Sequence, residues 1–190
     1  KNLLRALERQ YDEFLTLNET MALLPYQSQR QFLNAKTTLT ERIKKQGLIE
    51  EAKGIALNYT EWKRDPLKFD QSKRLLKALD KQARDSSFTD QDIVQELNYA
   101  NVKSFHAAKE KLYQIILSDP SLIERVTKVF PSLEKAVRSL QTKKQREKQL
   151  EYQYFALAER QVTELLTIRE IIQDLSLKNY ANFARLRKQI

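Results

Sequence analysis

The sequence predicts an all-α fold, a multi-helix bundle of about seven or eight helices with one long C-terminal helix. Three observations predict it. The 190 residues hold two glycines and four prolines, too few for the hairpin turns that sheets need, whereas helices use them only at their ends. Apolar residues recur at three- and four-residue steps, which places them on one face of a helix. Capping residues and prolines punctuate that pattern. Hydrophobic residues make up 41% of the chain, enough for a core, and this separates it from a disordered polar chain.

Leu3, Leu4, Leu7, Tyr11, Phe14, Leu15 and Leu17 give the first helix one apolar face, which runs to Leu24 before Pro25. Ser28 with Gln31 reads as a capping box, and Phe32, Leu39 and Ile43 carry the next helix to a stop at Gly47. Leu48, Ala52, Ile55, Tyr59 and Trp62 step 4-3-4-3, predicting a helix closed by Asp65-Pro66. Asp70 caps the next one, with Leu75, Leu76, Leu79 and Ala83 inward, and Asp85-Ser86-Ser87 is a loop. Thr89 and Asp92 open a short helix through Leu97, and a further helix starts near Asn101 and runs to Leu117. Asp119-Pro120 starts a short helix to Phe130, with Pro at its first position, and Pro131 restarts the chain.

No Pro or Gly interrupts the stretch from Ser132 to about Leu175. As one helix it spans roughly 65 Å at ~1.5 Å per residue. Leu133, Val137 and Leu140 form one apolar cluster along it, and Leu150, Tyr154, Leu157, Leu165, Ile168, Ile172 and Leu175 form a second. Residues 141–149 between them are polar all round. Ser176 caps a last short helix with Tyr180, Phe183, Leu186 and Ile190 inward. The chain reads as a single helical domain over residues 1–190, with the long helix protruding. It opens Lys1-Asn2-Leu3 without a Met, so the expectation is a segment cut from a larger protein.

Composition excludes much chemistry. With no cysteine there is no disulfide, zinc ribbon or thiol nucleophile. One histidine leaves no His-based metal cluster, and His106 falls mid-helix rather than in a nucleophile site. Gly47 and Gly54 do not make a phosphate loop. Asp92 and Glu96 share a helical face as a metal pair would, but acids there also complement the helix dipole. No cofactor or metal is expected, and no catalytic residue. No run approaches the ~18 apolar residues of a membrane span, and a reducing, cytoplasmic setting is the expectation.

The net charge is +9. Residues 119–190 carry 14 Lys and Arg against 9 Asp and Glu, over half the excess. A basic field favours phosphate-bearing partners. Arg138, Lys143, Lys144, Arg146 and Lys148, with only Glu147 among them, form a basic segment followed by Tyr152, Tyr154 and Phe155. The segment suits phosphates with the aromatics as stacking groups, or it is a solvated helix whose aromatics belong to the next core cluster.

Residues 89–109 hold Leu97-Asn98-Tyr99 between two helical patterns and Ser104-Phe105-His106-Ala107-Ala108 in the second, and in this they resemble the first helix-turn-helix unit of AraC-type regulators. That unit reads as a Leu-Gly-Tyr/Phe turn followed by a Ser-Phe-x-x-Ala helix. Asn98 replaces the turn Gly, and Asn tolerates the left-handed conformation. Ile93, Val94, Leu97, Val102, Phe105 and Leu112 would face inward. Asn101, Lys103, Ser104, His106 and Lys111 would face outward to phosphates or base edges. An ordinary helical hairpin satisfies the same pattern.

In composition and layout the whole chain is similar to the helical accessory (C-terminal) regions behind the relaxase domain in Gram-positive plasmid mobilisation proteins. That resemblance implies a non-catalytic, DNA- or transfer-protein-contacting part of a conjugative nicking enzyme. The relaxase chemistry needs a three-His metal site and cannot be here with one His. Bacterial effector modules that bind a host protein or anionic phosphoinositide membrane share the texture. The expected function is thus a nucleic-acid or nucleoprotein interaction domain, with that effector role as the alternative.

Overall fold

The computed structural model describes residues 1–62, 64–164, 167–176 and 183–184, with the side chains of 160–164 excepted. Every regular element among the described residues is helical. Ten α-helices follow in order: α1 Asn2–Asp12, α2 Leu17–Met21, α3 Gln29–Lys45, α4 Ile49–Lys53, α5 Asp70–Arg84, α6 Asp90–Glu96, α7 Val102–Ser118, α8 Pro120–Val129, α9 Glu134–Glu164 and α10 Ile168–Asp174. Eight of them have seven residues or more, in line with the sequence expectation. The chain divides into two compact units, Lys1–Lys135 and Ala136–Ile190.

Local chemistry sets most boundaries in the first unit. The first apolar stripe is two helices rather than one. After α1 the backbone turns left-handed at Phe14 (φ 52°), and Thr16 with Glu19 forms a full capping box that opens α2. A left-handed backbone costs about 1–2 kcal/mol at a residue with a Cβ. Complete burial of the Phe14 ring, 5.8 Å from the Phe130 ring, offsets it. Ser28 caps α3 by accepting from the Gln31 N–H, and Gly47 (φ 67°) closes it. The Leu48 N–H reaches the Ile43 carbonyl and the Gly47 N–H reaches Lys44, the paired bonds of a Schellman stop.

The 4-3-4-3 stripe predicts burial correctly and helix incorrectly. Leu48, Ala52, Ile55, Tyr59 and Trp62 all join one cluster with Leu4, Ile43 and Ala56. Only Ile49–Lys53 is α-helix, and beyond it the chain runs as successive turns. The reason lies at Asn58. Its backbone N–H donates to the Glu8 carboxylate at 3.0 Å instead of to a helical carbonyl, and its amide bridges Glu8 and Asp12. Bonds of i→i+3 type, such as Tyr59 N–H to Ala56 and Arg64 N–H to Glu61, keep the apolar side chains inward through those turns.

In α5, Leu75, Leu76 and Leu79 are buried as expected, but Ala83 is exposed, and Lys73, Ala78 and Asp80 are buried. Asp70 is not the cap of α5. It is the first helical residue, after Phe69, and its carboxylate accepts from the Leu17 N–H at 3.0 Å. Asp119 caps α8 with Pro120 at its first position. Pro131 begins a single 3₁₀ turn leading into α9.

In the second unit the long helix is shorter than expected. α9 has 31 residues, about 46 Å. Thr167 and Glu170 form a capping box that starts α10 afresh, so residues 132–175 are not one helix. Leu157, Ile171, Leu175 and Phe183 are buried together, with Tyr154 and Ile172 packed on them. Ile168, expected inward, is 39% exposed, and its neighbour Ile171 takes the core position. Leu165, Tyr180, Leu186 and Ile190 lie outside the described residues.

Candidate functional site

The hairpin of α6 and α7 is built as its residues suggest. Thr89 and Asp92 form the capping box of α6. Asn98 takes the left-handed conformation (φ 54°), and the N–H groups of Asn98 and Tyr99 close a Schellman stop on Gln95 and Val94. Ile93 and Phe105 are fully buried, Leu112 nearly so, and Val94, Leu97 and Val102 are half-buried.

Its outward residues are less available than the motif suggests. Asn101 and Ser104 bond each other as the capping box of α7: the Asn101 side chain accepts from the Ser104 N–H at 2.8 Å, and the Ser104 hydroxyl accepts from the Asn101 N–H. His106 Nε2 lies 2.6 Å from the Asp90 carboxylate. His106, then Gln82, hold that carboxyl below the usual range, so a negative charge stands beside the start of the second helix. Lys103 and Lys111 remain exposed, two turns apart. Asp92 is held by Thr89, and Glu96 faces Lys81 at 3.3 Å. Among the described residues no group of three or more His, Cys, Asp or Glu is placed to hold a metal ion.

The basic segment lies in α9. Every residue from 142 to 149 is exposed, so two helical turns bury no side. The cations divide between faces, because residues four apart align and residues two apart do not. Lys144 and Lys148 share a stripe with Tyr152 and Phe155, at steps of four, four and three. Tyr152 is 76% exposed and Phe155 55%. Lys143 and Arg146 lie on the face that carries Leu150, Tyr154 and Leu157 further along, and Lys143 approaches Glu147 at 4.0 Å. Arg138 is exposed more than a turn before them. Of the three aromatics, Tyr154 turns inward onto Phe183, 5.7 Å between ring centres, while Tyr152 and Phe155 point to solvent.

A third feature escaped the sequence reading. In the first unit Lys36, Lys68, Lys73, Asp65 and Asp70 line a cavity of about 210 Å³ with Leu7, Tyr11, Leu17, Leu33 and Trp62. Lys73 is 3% exposed and donates to the Leu15 carbonyl at 2.8 Å. Burial is the main force on its ammonium. Asp65 and Asp70 oppose burial, Lys36 and Arg125 reinforce it, and the pKa falls to about 8. Burial also lowers Lys36. Asp65 is itself buried, with Arg125 donating to it at 2.8 Å and the Leu67 N–H at 3.1 Å. The Arg125 guanidinium stacks 3.8 Å from the Tyr11 ring centre and 4.6 Å from Phe14, and its Nε has no hydrogen-bond partner among the described residues. The sequence signal was a cation in an apolar register: Lys73 with Leu76, and Arg125 with Leu122, Val126 and Val129.

No helix among the described residues is long and apolar enough to cross a membrane. No protein-family model, no curated protein and no solved structure matches this chain.

Proposed function

We propose that this is a non-catalytic nucleic-acid interaction domain whose contact surface is the α9 stripe of Lys144, Lys148, Tyr152 and Phe155. The observation that carries the reading is the pairing of two exposed lysines with two exposed aromatics on one helical face. Lysines meet phosphates, and aromatic rings stack on unpaired bases whatever their identity. The combination suits a single strand better than a duplex, whose bases are already stacked. Lys143, Arg146 and Arg138 add charge around the stripe without sharing it. The α6–α7 hairpin supplies Lys103 and Lys111 at most, since its other outward groups are held in caps and in the His106–Asp90 pair. Through the relaxase resemblance, the same reading makes this the strand-handling accessory part of a DNA-mobilisation protein.

Titration of a fluorescent single-stranded oligonucleotide at two salt concentrations tests it. Binding weakens with salt, with a slope near −0.7 for each phosphate neutralised. Lys144→Ala with Lys148→Ala flattens that slope by about 1.4. Tyr152→Ala weakens binding by about 1–3 kcal/mol at unchanged slope. No binding at low salt, or binding indifferent to salt, overturns the proposal. The exposed rings beside lysines also favour a second reading, docking on an anionic phosphoinositide membrane. Capture by acidic vesicles without oligonucleotide affinity selects that one.

A further inference from the structure

The cavity of the first unit is independent of the α9 surface and asks for a ligand of its own. Three cations line it, Lys36, Lys68 and Lys73, against two carboxylates, Asp65 and Asp70. Both carboxylates are already engaged, Asp65 by Arg125 and the Leu67 N–H, Asp70 by the Leu17 N–H. The lysines are not matched in the same way. Lys73 is buried to 3% and makes one hydrogen bond with three donors to satisfy, and Lys36 has no ion pair among the described residues. A buried ammonium in this state is costly unless a charge or acceptor reaches it. Apart from Gln10, the rest of the lining is apolar or aromatic, and an apolar cavity of about 150 Å³ takes one benzene ring. The roughly 210 Å³ here leaves room for one ring or a short alkyl chain with a small charged end.

We propose that this cavity binds a small amphipathic carboxylate, its apolar body against Leu7, Tyr11, Leu33 and Trp62 and its carboxyl group on the ammonium groups of Lys36 and Lys73. Arg125 matches Asp65, so Asp70 alone offsets the three lysines; the lining is net positive, which favours an anionic head, and the small volume favours a carboxyl group over a bulkier phosphate ester. The lowered pKa of both lysines agrees with a site whose cations lack sufficient partners.

Trp62 is the only tryptophan of the chain and lines the cavity, so its fluorescence reports occupancy directly. Hexanoate, hexanol, acetate and inorganic phosphate are titrated into the whole chain near neutral pH, with calorimetry in parallel. Hexanoate gives a saturable change, at least tenfold tighter than hexanol, which lacks the charge, and than acetate, which lacks the body. Lys36→Gln and Lys73→Met each weaken hexanoate at least tenfold while the helical circular dichroism is unchanged. Lys36→Gln, at a half-exposed position, keeps the test decisive if the buried variant folds poorly. Equal response to hexanoate and hexanol, equal response to phosphate, no saturable change, or full affinity in Lys36→Gln overturns the proposal.

Discussion

Replacing Lys73 by Met tests the energetics of the buried charge. The side chain is 3% exposed and its ammonium holds one hydrogen bond, to Leu15. Its pKa is about 8 in the folded chain, against an ordinary 10.5. A depressed lysine means that the unfolded chain binds more protons between those two values, so folding stability rises with pH across that window. Below pH 8 both states are charged and the full cost of burial is present. Above about 10.5 both are neutral and the cost is gone. The gap of about 2.5 units corresponds to about 3 kcal/mol. Asp65, Asp70, Lys36 and Arg125 are the charged groups that act on Lys73. Lys36 titrates in the same direction, so the comparison is between wild type and variant at each pH. Met fills a similar volume without charge. Urea unfolding at pH 7 and pH 10 gives a wild type that gains on the variant by up to about 3 kcal/mol as pH rises. At pH 7 the variant is at least as stable, because the lost Leu15 bond is outweighed by the removed burial cost. Parallel pH profiles for the two proteins would falsify the account of Lys73 as a buried, under-partnered cation.

Other variants read other parts of the fold. Arg125→Met leaves Asp65 buried without its partner and removes the stacking on Tyr11 and Phe14, and unfolding shows a loss of about 3–5 kcal/mol. Adding Asp65→Asn to that variant recovers part of the loss, and no recovery means that packing rather than charge dominates. Burial raises the Glu19 carboxyl, but Lys77 at 2.5 Å and the N–H and hydroxyl of Thr16 outweigh it and hold the pKa at about 2. The stability this supplies is present above pH 4.5 and disappears as pH falls through 2. With the side chain 45% exposed, Glu19→Gln removes about 1 kcal/mol of that acid sensitivity in acid-titrated circular dichroism. Asn98→Ala lowers stability by about 1 kcal/mol because the left-handed backbone at φ 54° disfavours a Cβ without a local polar partner, whereas Asn98→Gly is neutral or stabilising in thermal melts.

What the sequence discloses follows the range of the interactions. The α6–α7 hairpin was legible because its determinants are local: Thr89 with Asp92, the left-handed Asn98, and Asn101 opening α7. The burial of the 48–62 stripe was legible for the same reason. Its loss of helix was not, since it depends on Glu8 and Asp12, about fifty residues away in sequence, capturing Asn58. The Thr16 box, by contrast, was present as Thr-x-x-Glu, and the continuous apolar stripe across it obscured the break. The basic segment was visible as composition, yet its division into a Lys144–Lys148 face and a Lys143–Arg146 face appears only once the helix is in place. The charged cavity could not be read, because the Asp65–Arg125 pair closes over sixty positions of chain.

The two uncovered turns of α9 have a thermodynamic consequence. Residues 142–149 bury no side, so their helix rests on the local helix–coil balance and on the packed turns at Val137 and Leu157 that flank it. Close cations along that stretch push the balance toward coil. A polyanion that neutralises them is therefore a helix-stabilising ligand, and helix-stabilising substitutions tighten its binding in return. Occupancy of the stripe registers as slower amide exchange across those two turns, before any contact is mapped.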